Sequence, residues 1–384
     1  MRPTLRGSAC LLSLALLGGC DKPSTPREYL YAWTAAADST QADFLAVIDV
    51  TDGSATVGQV LHTVPVPGRN NGPHHSEHEM APGGRLFVNG FDSGQSWVFD
   101  MADPARPTIA AQFGDMGGYA HPHSFIRLPN GNVLAMFQMQ HGADGMRPGG
   151  LAEITPDGAL VRASAPQPAS VAAATRVYSG AVLPALDRVV TTTTDMDGDD
   201  PASRQLQLWR LSDLALLHTF ALADGARGGE GMYTAEPRVM ADGKTVLVST
   251  FACGLYLLDS LDSETPSAKL VASFPEKPRT NCAIPAIVGQ YYLVTVPAFS
   301  AVVALDISDP TTPREVSRVA FDSTDVPHWL AVSPDQRRVV VTGYASMQRR
   351  VELLRFDPQT GQLSRDRTIP DVGGVPHGTV FSRP

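Results

Sequence analysis

The chain has 384 residues, of which 34 are Gly and 31 Pro, with 43% hydrophobic and 18% charged residues. This composition supports a sizeable core and excludes a disordered or collagen-like chain. The net charge is −9 with a pI of about 5.5, and no Lys/Arg run interleaves with aromatics, so nucleic acid is not an expected partner.

At the N-terminus, Arg2 and Arg6 precede an apolar stretch from Ala9 to Leu17 and then Gly18-Gly19-Cys20. That is the order of a secretory signal, and its apolar part is too short to span a bilayer. Leu17-Gly18-Gly19-Cys20 also resembles the bacterial lipobox, which implies cleavage before Cys20 and acylation of its thiol; the alternative is a soluble periplasmic protein with a chance cysteine. Two or more acyl chains anchor a protein stably to a lipid bilayer. Asp21 resembles an inner-membrane retention signal. The expected organisation is a lipoprotein signal peptide over 1–19, a tether over 20–27 and one domain over 28–384, held in the bacterial cell envelope and facing the periplasm. Beyond Cys10 and Cys20 only Cys253 and Cys282 remain. An oxidising compartment favours a disulfide between them, with two buried thiols or a metal-ligating cysteine as alternatives.

From residue 28 onward no sustained 3.6-residue apolar pattern appears. Short runs rich in Val, Leu, Tyr, Phe and Thr alternate with Gly, Pro, Asp and Asn, which reads as all-β. One unit recurs: a strand, an acidic or polar residue, a turn, another strand. It is seen at Asp100-Met-Ala-Asp-Pro, Asp259-Ser-Leu-Asp and Asp306-Ile-Ser-Asp-Pro, and more loosely at Asp49, Glu153, Leu211 and Phe356. Landmarks before each β-rich run fall at His75, His123, Ser179, Glu236, Asn281, His328 and His377. Periods of this length mark propellers. The seventh unit is split: the strand after Pro376 must join Tyr29 to Trp33, Phe44 to Val50 and Leu61 to Val66. The expected fold is therefore a seven-bladed β-propeller closed by pairing of the C-terminal strand with N-terminal strands, which leaves few open sheet edges.

This register sorts the ten histidines. His62 and His218 fall on outer strands and His141 in a loop. His74, His75, His78, His121, His123, His328 and His377 fall at or just before first strands, which line the central channel. Neutral imidazole is a common metal ligand, and strands arranged around one axis bring distant residues to ligand distance. His75, His123, His328 and His377, one per blade, are the expected ligands of one transition metal, with His74, His78 and His121 around them. The alternative is His pairs hydrogen-bonded to carbonyls in a wet channel. Glu236 and Arg238 share the register on a fifth blade; Glu236 can serve as a ligand, as an acceptor that fixes a His tautomer, or as the partner of Arg238. Glu77 and Glu79 are weaker candidates. Tyr119, Phe125 and Trp329 beside the histidines suggest an apolar pocket wall. Asp195 to Asp200 lacks the glycine and glutamate positions of an EF-hand and reads as a solvated acidic loop. No nucleophile elbow, P-loop or dinucleotide fingerprint is present.

Pro73-His74-His75-Ser76, His121-Pro122-His123, Glu236-Pro237-Arg238, Asp306-Ile-Ser-Asp-Pro and Pro376-His377 resemble, in the same order, stretches of the selenium-binding protein and methanethiol oxidase family. The resemblance implies a propeller whose enzymatic members depend on copper, with His75, His123 and His377 as ligands and Glu236 close by. It does not extend to His328, and the chain has no counterpart of the family's Cys-rich segment after the first His pair. Two functions follow as expectations. One is a periplasmic copper-dependent oxidoreductase acting on a small sulfur compound such as a thiol, with zinc or iron as alternative metals. The other is a non-catalytic copper or zinc protein, a metallochaperone or sensor with a metal-exchange partner.

Overall fold

The computed structural model describes residues 27–81, 84–142, 145–196, 201–263, 266–274, 282–345, 347 and 349–383. The signal sequence, Cys20, Asp21, Asn281 and part of the 195–200 loop lie outside the described residues. Twenty-eight strands form seven antiparallel four-stranded sheets, giving a seven-bladed β-propeller. Blade 1 combines Tyr29–Ala36, Phe44–Asp49 and Val60–Pro65 with the last strand, Gly374–Phe381. Blades 2 to 7 are consecutive: residues 73–113, 119–163, 180–221, 234–273, 285–320 and 325–369. Among the described residues the helical segments are three short 3-10 turns, Pro184–Leu186, Pro201–Arg204 and Pro297–Phe299. No described helix is long and apolar enough to cross a membrane.

The ring closes where sequence periodicity places the closure. Leu30 pairs with Phe381, Tyr31 with Val380 and Ala32 with Thr379. The indole of Trp329, on blade 7, also donates to the Thr379 carbonyl at 2.9 Å.

Within a blade the four strands differ in what covers them. Middle strands such as Tyr291–Val296 are buried along their whole length, because each face packs on a neighbouring blade. Outer strands such as Thr108–Phe113 alternate exposed and half-buried, the period-2 signature of one wet face. The apolar residues assemble into seven clusters, one for each pair of adjacent blades. Trp33 and Trp97, with centroids 5.4 Å apart, form the blade 1–2 contact. In three blades the recurring acidic residue ends the third strand, where its carboxylate accepts a backbone N–H two residues on and fixes the turn. Asp49 does so to Thr51, Asp100 to Ala102 and Asp306 to Ser308, each at 2.9 Å.

The first strand of each blade lines the channel. All landmarks among the described residues lie on one of these strands or immediately before it. His62 and His218 lie on fourth, outer strands, as expected; His141 does not sit in a loop but ends the strand Val133–Gly142, since that hairpin runs longer than its apolar stretch. Cys253 and Cys282 form a disulfide that ties blade 5 to the start of blade 6.

Candidate metal centre

Four of the channel-lining strands carry a Pro-His pair: Pro73-His74, Pro122-His123, Pro327-His328 and Pro376-His377. A fifth carries the inverted order Glu236-Pro237. Proline has no N–H to donate, so it is confined to sheet edges and irregular positions, and a propeller's inner strand is such an edge. At all five places the ladder register shifts: between Pro73 and Ser76, Pro122 and Ser124, Thr234 and Pro237, Pro327 and Trp329, and opposite Ala32 to Thr34. A shift of this kind re-aims side chains that a regular strand would send to opposite faces. It lets the neighbours His74 and His75 stack with centroids 4.4 Å apart instead of diverging.

The result is a five-imidazole cluster on the channel axis. His74, His75 and His123 each offer a nitrogen, all within 4.8 Å of one another, and all three residues are buried. His74 Nε2 and His123 Nε2 are 3.0 Å apart. His377 packs on His74 at 4.3 Å between centroids, and His328 on His377 at 4.9 Å. The expected set was His75, His123, His328 and His377. The structure brings His75 and His123 together with His74, which register alone leaves outside the ligand set; His377 packs beside both His74 and His75, at 4.3 and 5.8 Å between centroids, and His328 lies against His377.

Hydrogen bonds orient these rings. His123 Nδ1 lies 2.9 Å from the Tyr178 carbonyl and His377 Nδ1 2.6 Å from the His74 carbonyl. A carbonyl can only accept, so both Nδ1 atoms carry the proton and both Nε2 atoms present a lone pair. This is the arrangement in which a His ligand is held by its outer partner. His75 Nδ1 contacts Ser124 Oγ at 3.1 Å, while its buried Nε2 has no hydrogen-bond partner among the described residues. An orphaned imidazole nitrogen beside two others is what a bound transition metal would satisfy, so the donor set fits such an ion.

Burial sets the protonation state. It lowers the His74, His75 and His328 imidazoles well below their usual range, and neighbouring imidazoles lower them further. His123 is pushed down to about 3 and His377 to about 4, again by burial first. All are neutral at physiological pH, the form that binds metals.

The remaining candidates fall around this cluster. His78 forms a layer to one side, stacked on Trp329 at 4.5 Å and 6.5 Å from His75, with Arg238 Nη2 donating to its Nε2 at 3.1 Å. Glu236 is fully buried; its Oε2 accepts from Arg238 Nη1 and from Ser179 Oγ, both at 2.7 Å. The ion-pair reading therefore describes its contacts. His121 does not join the cluster. Its backbone adopts the left-handed region at φ 55° and its ring turns to the Phe91 carbonyl, because it precedes Pro122 instead of following it. Glu77 is a structural group: it binds Arg127 at 2.8 Å and the Phe87 amide at 3.0 Å across blades 2 and 3, and burial raises its carboxyl to about 7. Glu79 is exposed, 3.9 Å from Arg383.

Of the aromatic residues expected at the wall, Trp329 lies 5.0 Å from His75. Tyr119 and Phe125 instead pack in the blade 2–3 core, because the register shift between Pro122 and Ser124 re-aims His123 toward the axis and leaves these two, which a regular strand would place on the same face as His123, facing the neighbouring blade. The rings that do touch the histidines are Tyr178, 4.0 Å from His123, Phe91, 5.6 Å from His74, and Phe251, 6.3 Å from His328. Phe91 and Phe251 each follow a second strand, a position that lies outside the repeat landmarks. Tyr178 directly precedes the Ser179 landmark and could have been found from it.

No protein-family model matches the chain. A methanethiol oxidase of Ruegeria pomeroyi is 34% identical over 128 residues, 30% of this chain and 29% of that protein. A methanethiol oxidase of Hyphomicrobium sp. is 28% identical over 180 residues, 42% of this chain and 40% of that one. The matches thus span well under half the length of these relatives. A hypothetical selenium-binding protein from Sulfolobus tokodaii superposes with a TM-score of 0.77 at 18% identity, covering 94% of both chains. The chain is similar to the methanethiol oxidase and selenium-binding proteins. The similarity is local in sequence and extends over nearly the whole fold.

Proposed function

We propose that this protein is a metal-dependent oxidoreductase acting on a small sulfur compound, with copper as the metal. The convergence of His74, His75 and His123, buried, neutral and aimed by fixed partners, carries this reading. The similarity to two methanethiol oxidases supports the substrate class. Imidazole donors suit copper, zinc and iron, and a soft sulfur substrate favours copper. Bound there, copper would supply one-electron chemistry between a thiol and dioxygen.

The chain's own contribution is positional. The Tyr178 carbonyl fixes the His123 tautomer, so His123 Nε2 is a lone pair and the 3.0 Å contact from His74 Nε2 must carry the His74 proton. For His74 to hold a metal through Nε2, its proton would have to sit on Nδ1. Tyr178, Phe91 and Trp329 surround the rings and keep bulk water away. A non-catalytic carrier would have to exchange its ion with a partner, and ligands only 6%, 1% and 0% exposed at His74, His75 and His123 do not favour exchange.

We also propose that the protein acts in the periplasm on an acylated Cys20 anchor. The lipobox-like sequence and the Cys253–Cys282 disulfide, a bond typical of oxidising compartments, support this placement. The test is to load the purified protein with Cu²⁺, Zn²⁺ or Fe²⁺, quantify bound metal, and follow O₂ uptake with methanethiol and other small thiols. Stoichiometric copper with thiol-dependent O₂ uptake is expected. Bound metal without uptake under any loading would leave only the carrier reading.

A further inference from the structure

Blade 2 sets two residues of its inner strand, His74 and His75, opposite a single residue of the next strand, Asn89: Pro73 pairs with Gly90 and Ser76 with Val88. A bulge of this kind leaves an extra residue outside the ladder, and here the side chain opposite takes up its amide. Asn89 Oδ1 accepts the His75 N–H at 2.6 Å. The other end of the same carboxamide, Nδ2, donates at 2.8 Å to the Pro122 carbonyl of blade 3. Pro122 directly precedes His123, which is itself inserted between Pro122, paired with Phe137, and Ser124, paired with Met136. One side chain thus spans the two bulges that carry His75 and His123.

Few groups can make this bridge. A backbone N–H only donates and a carbonyl only accepts, so the bridging side chain must offer an acceptor and a donor on one short, rigid frame, as a neutral carboxamide does. Asn89 is fully buried, so bulk water does not stand in for either bond. It is also held from blade 1, where the Trp33 indole donates to the Asn89 carbonyl at 2.6 Å. Blade 5 has the same two-to-one bulge, Ala235 and Glu236 opposite Ser249, whose Oγ lies 3.4 Å from the Glu236 nitrogen. Blade 4 has the same kind of bridge on strands without histidine: Thr192 Oγ1 accepts the Ser179 N–H at 3.1 Å and donates to the Ala235 carbonyl at 2.6 Å.

We infer that Asn89 is a positioning residue of the metal centre: its side-chain amide sets the separation of the His75 and His123 main chains, and with it the convergence of their imidazoles with that of His74. The inference rests on the metal-binding part of the reading above. Asn89 is not a ligand, because both polar ends of its side chain are committed to main-chain groups; it acts through the two strands that aim the rings.

The test compares Asn89→Leu, Asn89→Ser and Thr192→Val with the wild-type full chain. Leucine keeps the volume and makes neither hydrogen bond; serine is the residue blade 5 carries at this register, so it supplies a folded variant if leucine does not. Thr192→Val removes an equally buried bridge between inner strands that hold no histidine. Each protein is melted without metal, then titrated with Cu²⁺ against a competing chelator, and the bound ion is followed by electron paramagnetic resonance. All three substitutions should lower the melting temperature. Only the Asn89 variants should weaken Cu²⁺, by about tenfold or more, the loss expected when a group that orients a ligand is removed, and only they should change the nitrogen hyperfine pattern. Wild-type affinity in a folded Asn89 variant, or an equal loss in Thr192→Val, overturns the inference. So does failure of both Asn89 variants to fold, since Asn89 would then serve the fold itself. Copper-loaded wild type that takes up no O₂ with thiols fails the oxidoreductase reading alone, and a wild type that binds no Cu²⁺ fails both.

Discussion

The inner strand and the two middle strands of the same blade obey opposite rules. The two middle strands of a blade pair with each other in regular ladders, bury Val, Leu, Tyr and Trp on both faces and build the seven inter-blade clusters. Inner strands at the functional positions break their ladders at proline and turn histidines into the channel. Regularity maximises burial; interruption frees a side chain from strand alternation and aims it. Asn89 apart, stability and chemistry in this molecule are therefore separable by strand, and each can be perturbed with little effect on the other.

The largest effect should come from the one inner strand that also closes the ring. Deleting residues 376–384 removes most of the strand paired with Tyr29–Ala36 and opens sheet edges on blade 1. Loss of the wild-type cooperative thermal transition is expected, and an unchanged melting temperature would show that closure contributes nothing. On a middle strand, Trp209→Ala should cost about 3–5 kcal/mol, since the side chain is fully buried in the blade 3–4 cluster and its indole donates to Thr191 Oγ1. Metal stoichiometry of the folded fraction should be unchanged.

Removing the disulfide with Cys253→Ala and Cys282→Ala releases a crosslink spanning 29 residues, worth roughly 3.6 kcal/mol in the chain-entropy model. Denaturant unfolding measures it. His123→Ala is the converse experiment: stoichiometric metal should be lost while the melting temperature falls less than for Trp209→Ala. Full metal retention in that variant would remove His123 from the site.

The smallest effect expected is a pH dependence of the metal-free protein. Buried imidazoles stay neutral in the folded state down to about 3 for His123 and about 4 for His377, whereas an unfolded chain protonates them near 6.5. Below that pH the unfolded state binds more protons, so this contribution to stability is complete above 6.5 and is lost as pH falls toward 4. Melting temperature should be flat from pH 8 to 7 and drop by pH 5, and the drop should shrink in His377→Ala. Metal binding should persist below pH 6.5 for the same reason. A flat profile down to pH 5 would contradict a neutral, buried cluster.

The sequence by itself determined the blade count, the closure and the identity of the channel-lining strands, because strand alternation, turn chemistry and a repeat of about fifty residues are local signals. It also brought the channel-lining histidines onto one register. Only the tertiary structure decided which imidazoles converge. Register alone favoured His75 and left His74 aside, yet the ladder shift after Pro73 turns both inward, and proline order excludes His121. Tyr119 and Phe125, close to the histidines along the chain, face the core, while Phe91 and Phe251 reach the rings from positions after second strands that no local pattern links. A strand's sequence encodes its pleat, but where a pleat is broken the direction of a side chain is set by the neighbouring strand and the blades around it.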